Sequence, residues 1–129
     1  MVNRRSLLSA DGDIADFYAQ WNLVPDPGGS GAVTFQSTYL NTYIYPTGGG
    51  LFSVCIKARQ NELVDSLGWF FIVTGSQRGS IRFQSTENED LYLIPREITE
   101  ENEFALVELT TIPAGEEIRA DWLLVSPPQ

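Results

Sequence analysis

The sequence predicts an all-β domain, and three observations carry that prediction. The first is an internal repeat: Val33-Thr34-Phe35-Gln36-Ser37-Thr38 returns as Ile81-Arg82-Phe83-Gln84-Ser85-Thr86, 48 positions later. Trp21 and Trp69 keep that spacing, as do Gly31 and Gly79. One residue of slippage aligns Tyr43-Ile44-Tyr45-Pro46 with Tyr92-Leu93-Ile94-Pro95. A further slip aligns Phe52-Ser53-Val54 with Phe104-Ala105-Leu106, and Trp69 with Trp122. The second is alternation. From Leu51 to Arg59 one face carries Phe52, Val54, Ile56 and Ala58, and the other Ser53, Cys55, Lys57 and Arg59. That period of two belongs to a strand covered on one side. The third is turn chemistry at short intervals, as in Pro46-Thr47-Gly48-Gly49-Gly50 and Gly75-Ser76-Gln77-Arg78-Gly79.

Taken in order, the first ten residues read as a polar and basic arm ending in Leu7-Leu8. Ile14, Phe17, Tyr18 and Trp21 then share one face at helical spacing, with Ser9 available as a cap and Asp11 and Asp13 favourable in a first turn. Residues 1–24 are therefore expected to be an arm and a short helix leading into the first strand. Pro25-Asp26-Pro27-Gly28-Gly29-Ser30 breaks regular structure.

Every later segment reads as strand. Val33, Phe35 and Ser37 alternate with Thr34, Gln36 and Thr38, and Tyr43-Ile44-Tyr45 follows. Trp69-Phe70-Phe71-Ile72-Val73 is a continuous apolar run, the mark of a strand covered on both faces. Ile81 to Phe83, Leu91 to Pro95, Phe104 to Thr110 and Ile118 to Val125 complete the set. Eight or nine short strands suit a jelly-roll-like β-sandwich over residues 25–129. Its similar halves would cover about 21–68 and 69–121, with a closing strand at 118–125. A β-trefoil-like fold is the rival, because its repeat also has four strands. A trefoil uses three copies, whereas two and a terminal strand fit here.

Composition narrows the function. The 129 residues are 43% hydrophobic and 19% charged, which is globular, and they suffice for one core. Arg4-Arg5-Ser6-Leu7-Leu8 mimics a twin-arginine signal, but no apolar core follows, so it reads as mature chain. No apolar run approaches the ~20 residues of a membrane span. Residues 1–64 carry four basic and five acidic side chains, net −1; residues 65–129 carry four and twelve, net −8. Such a surface repels phosphate backbones, so neither nucleic acid nor membrane is an expected partner. The chain has no histidine and one cysteine, Cys55. His-based triads, His–metal sites and cysteine zinc clusters are thereby excluded.

The remaining constellations have plain structural roles open to them. Asp11, Asp13 and Asp16 lack the spacing of a calcium loop and suit a helix start. Glu87, Glu89 and Asp90 share one loop, and Glu97, Glu100, Glu101 and Glu103 flank another. Solvated loop tips that discourage edge pairing explain them without a metal. Trp21, Trp69 and Trp122 read as core packing. Cys55 has no histidine to activate it and reads as neutral packing. No catalytic, cofactor or metal residue is assigned. Tyr39, Tyr43 and Tyr45 lie near Asn41 and Thr42, where aromatic faces beside amide and hydroxyl groups suit a sugar ring or a subunit interface, with simple core filling as the plain alternative.

Three resemblances follow. The tail Thr111-Ile112-Pro113-Ala114-Gly115-Glu116-Glu117-Ile118 with Asp121-Trp122 is similar to the closing strand of SET methyltransferases, whose Asn-His cofactor motif this chain lacks. Val33 to Thr38 with Tyr43-Ile44-Tyr45 is similar to repeats of arabinose-binding β-trefoil modules, which implies a carbohydrate-binding β module using Tyr39, Tyr43 and Tyr45. The basic arm, the acidic all-β body and the Ile112-Pro113-Ala114-Gly115 corner before Trp122 resemble small bacteriophage virion proteins of the capsid decoration (cement) and fibre kinds. That resemblance implies a non-enzymatic virion component and a homo-oligomer bound to the major capsid or a neighbouring virion protein. Arg4, Arg5, Leu7 and Leu8 of the arm would then reach an adjacent subunit, with Tyr39, Tyr43 and Tyr45 as further contacts.

Overall fold

The computed structural model describes residues 2–4, 7–9, 20–38, 43–54, 66–97, 99–100 and 106–124. The strands are β1 (Val2–Arg4), β2 (Leu7–Ser9), β3 (Trp21–Pro25), β4 (Val33–Ser37) and β5 (Ile44–Gly48), then β6 (Leu51–Val54), β7 (Phe70–Thr74), β8 (Ile81–Ser85), β9 (Tyr92–Pro95) and β10 (Val107–Thr110). Short 3-10 turns occupy Ser66–Gly68 and Glu117–Ala120. The class is all-β, as the alternation and turn spacing require.

Eight of the strands form one sheet in the order β3-β4-β7-β8-β9-β10-β6-β5, with antiparallel pairing throughout. β1 and β2 pair separately as a hairpin. Gln36 of β4 also bridges Tyr43, the residue before β5, so the two ends of the sheet approach each other. The sheet is thus curled into a half-barrel. Hydrogen bonding links these strands continuously, where the sequence suggested two stacked four-stranded layers. Residues 10–19, with the expected helix, lie outside the described residues; Trp21, placed on that helical face, opens β3 instead.

The core lies inside the curl. Phe35, Ile44, Phe52, Phe70, Phe83, Leu93, Val107 and Leu109 form one cluster, drawn from every strand between β4 and β10, and Trp21 and Leu23 of β3 pack against it. Burying each such side chain contributes roughly 1.5–3 kcal/mol. The aromatic rings meet edge to face: Phe35 lies 4.9 Å from Phe83 and 5.9 Å from Phe70, and Phe52 lies 5.9 Å from Phe70. That is the geometry the ring quadrupoles favour.

The strand register repeats as well. Pro25 faces Val33 in the first hairpin, and Thr74 faces Ile81 in the second. The Asp26 N–H donates to the Ala32 carbonyl as Gly75 does to Ser80, both at 2.9 Å. Gly31 and Gly79 hold φ of 87° and 82° in the same turn position. Gln36 faces Tyr43 as Gln84 faces Tyr92, and Pro46 faces Phe52 as Pro95 faces Val107.

Two alignments between the halves change. Thr38 N–H reaches Gln20 and Thr86 N–H reaches Trp69, so Trp69 takes the place of Gln20, and Phe70 that of Trp21. Phe52 corresponds to Val107; Phe104 and Ala105 lie outside the described residues.

Candidate functional site

Residues 117–124 were expected to be mostly strand. They form a 3-10 turn at Glu117–Ala120 and then a single antiparallel bridge between Trp122 and Ile81. This bridge matches the Val33–Phe70 contact on β4, so Trp122 stands where Phe70 does in the preceding unit. We call residues 116–124 the C-terminal strap. It begins after a turn in which Glu116 N–H donates to the Pro113 carbonyl at 3.0 Å.

The strap is fastened by polar groups the repeat does not reveal. The Asp121 carboxylate accepts from Ser76 N–H (3.0 Å), Gln77 N–H (3.2 Å), Arg82 Nε (3.0 Å) and the Ser76 hydroxyl. Its side chain is 5% exposed. Burial pushes its pKa up, but the Ser76 hydroxyl, the Ser76 N–H and Arg82 outweigh that and hold it down at about 2. Arg82 also donates Nη2 to the Glu117 carbonyl at 3.1 Å and lies 6.0 Å from the centre of the Tyr92 ring. Arg119 donates to the Pro95 carbonyl at 3.2 Å and pairs with Glu116 at 3.2 Å, with Glu97 further off at 3.9 Å. The Trp122 indole N–H donates to the Leu93 carbonyl at 3.0 Å while its ring meets Phe83 at 6.3 Å. Trp122 therefore packs and fastens, in keeping with the core role read for it.

Outward from these fastenings the strap is apolar. Ile118, Leu123 and Leu124 are 56%, 69% and 62% exposed. Ala120 between them is buried and anchors the turn. Three large exposed apolar side chains thus lie within seven residues.

The residues nominated from sequence are distributed differently. Arg4 pairs with Leu7 and Asn3 with Leu8 in the backbone register of β1 and β2, so the arm doubles back as a hairpin, which lies against β6. Arg5 and Tyr39 lie outside the described residues, as do Asn41, Thr42 and Cys55. Tyr43 and Tyr45 flank Ile44, which is buried in the core, so the two tyrosines share the outer face and are half-buried. The acidic loop at 87–90 is shaped by its neutral side chains: Ser85 Oγ accepts from Glu87 N–H at 3.1 Å, and Asn88 Oδ1 from Asp90 N–H at 2.9 Å. Among the described residues, no group of three or more acidic or cysteine side chains is placed to hold a metal ion.

The sequence reading passed over Asp121, Ser76 and Arg82, which sit 45 and 39 positions apart in the chain. The available signal was Asp121 beside Trp122, following the Pro113-Ala114-Gly115 corner. What the assembled site offers chemically is a satisfied polar clamp carrying an apolar outer surface. No protein-family model matches the chain, and no curated protein matches it in sequence.

Proposed function

We propose that this chain is a non-enzymatic structural component of a virion, a capsid decoration (cement) protein or a similar bacteriophage part, acting through protein–protein contacts. One observation carries the reading: a curled, closely packed antiparallel body presents Ile118, Leu123 and Leu124 outward on a strap clamped in place by Asp121. A packed scaffold presenting an apolar surface suits docking, since covering that surface removes apolar area from water. In this reading the body is jelly-roll-like, which the two matching four-stranded halves around one core support. The acidic half keeps assembled particles apart, and the N-terminal segment, drawn back as β1 and β2, reaches a neighbouring subunit as a hairpin. The partner is the major capsid or an adjacent virion protein.

Co-sedimentation with intact particles tests this. Leu123→Ser with Leu124→Ser, or removal of the first ten residues, is expected to reduce the bound fraction. Full binding by both variants would reject the docking surfaces named here.

The second reading is a carbohydrate-binding module, favoured by the shared outer face of Tyr43 and Tyr45. Glycan binding that disappears in Tyr43→Ala supports it, and silence across a glycan array rejects it.

A further inference from the structure

We propose that the C-terminal strap, residues 116–124, is an exchangeable element: it leaves β8 and β9 as a unit, and the same segment of a second copy of this chain takes its place. The inference does not require the virion reading. Three observations carry it.

The strap is held by side chains and one bridge between Trp122 and Ile81, whereas β7 is zipped to β8 through five residue pairs. Few backbone bonds have to open to release it, so it belongs among the parts of the fold that open locally. The connection at residues 111–115 contains Pro113 and Gly115 and can extend to about 17 Å at roughly 3.3–3.6 Å per residue. That reach sets two bodies side by side.

The receiving surface is built on every copy. The Ser76 and Gln77 N–H groups, the Arg82 guanidinium and the Pro95 and Leu93 carbonyls accept a strap of this sequence in the closed molecule. A neighbour's strap meets the same donors and acceptors, so exchange conserves those contacts and gives a closed, two-fold assembly.

The repeat supplies the third observation. On β4 the place beside Val33 is filled by Phe70, which belongs to the following unit. The start of each such strand is therefore filled from the next unit along, and at Ile81 of β8 the strap does the filling. Phe71 and Ile72 pair with Gln84 and Phe83, whereas Leu123 and Leu124 have no equivalent second strand among the described residues.

The test mixes two full-length variants, Arg82→Asp and Asp121→Arg. Each breaks the Arg82–Asp121 pair within its own molecule. An exchanged heterodimer seats an unaltered strap on an unaltered body in one half and restores opposite charges in the other. Native mass spectrometry after brief warming is expected to show the mixed dimer about ten-fold or more above either variant's own dimer. Its melting midpoint should exceed that of both variants. A mixture that stays monomeric and melts as the sum of its components overturns the proposal.

Should either variant fail to fold, the unaltered chain in two isotopic forms serves instead. Mixed-mass dimers are expected on warming at high concentration, and monomers at every concentration overturn the idea. So does a dimer that persists when the strap is tied to its own body through Ser76→Cys and Asp121→Cys, in a Cys55→Ser background. Neither arm reads particle binding, so this proposal and the virion reading fail separately.

Discussion

Asp121 concentrates most of what a single residue contributes here, because one carboxylate joins a hairpin loop, β8 and the strap. Its pKa is held at about 2, below the ordinary 3.8. The clamp therefore contributes fully above about pH 4 and is lost as the pH falls toward 2. Chemical unfolding at stepped pH should show that loss. Asp121→Asn is expected to be weaker already at pH 7 and to show a shallower fall below pH 4. Asp26 is also lowered, by the Ser30 hydroxyl and then the Gly28 N–H, but it is only half-buried, and solvent screens its effect on stability.

Thr34 is the opposite case. It is fully buried, and its hydroxyl has no hydrogen-bond partner among the described residues. An unsatisfied buried polar group costs on the order of 1–3 kcal/mol, so Thr34→Val should raise stability by about 1 kcal/mol in denaturant titrations. A loss of similar size would reveal a bond to that hydroxyl. The alternation at 33–38 identified a strand, yet it gave Thr34 no reason to be buried, because burial on the second face depends on what covers it.

Among the elements, prolines manage the edges. Gln20 and Asp26 bond toward β4, so alternation turns the Pro25 nitrogen to the open side of β3. Pro46 sits in β5, the other outer strand. A missing N–H is tolerated at such positions and discourages another strand from pairing.

The join between β6 and β10 is the demanding one. Gly50 holds φ of 79°, its carbonyl accepts from Leu109 N–H at 2.8 Å, and a β-carbon there would stand 2.8 Å from the Leu109 carbonyl. Gly50→Ala combines backbone strain with overpacking and should cost about 2–4 kcal/mol, read as a lowered unfolding midpoint. A change below about 0.5 kcal/mol would mean that β10 moves aside freely. The sequence showed Gly48-Gly49-Gly50 as a turn; which glycine met another strand depended on β10, more than fifty residues away.

At the scale of the whole molecule, the pairings β4–β7 and β6–β10 convert two similar halves into one curled sheet around one core. The meander from β7 to β10 sits between the two hairpins of the first half. The strap closes over β8 and β9 and leaves Leu123 and Leu124 in solvent. Replacing both leucines with serine should change folding stability by no more than about 0.5 kcal/mol, since surface substitutions rarely do more. It should still weaken association with a particle. A collapse in thermal stability would place those side chains in the fold instead of on its outside.

Local chemistry determined much of this protein in advance. Alternating apolar residues, glycine and proline turns and a 48-residue echo specify antiparallel strands in two matching sets, because strand period and turn geometry depend on near neighbours. They also placed Phe52 on the apolar face of its strand and marked Trp122 for packing. Tertiary structure decided the rest: that the strands share one curled sheet, that Trp69 sits one register away from Trp21, and that Asp121 finds Ser76 and Arg82. Those outcomes follow from pairings between segments far apart in the chain. Such pairings are set by the closure of the sheet around its core and by the groups that closure brings within hydrogen-bonding distance.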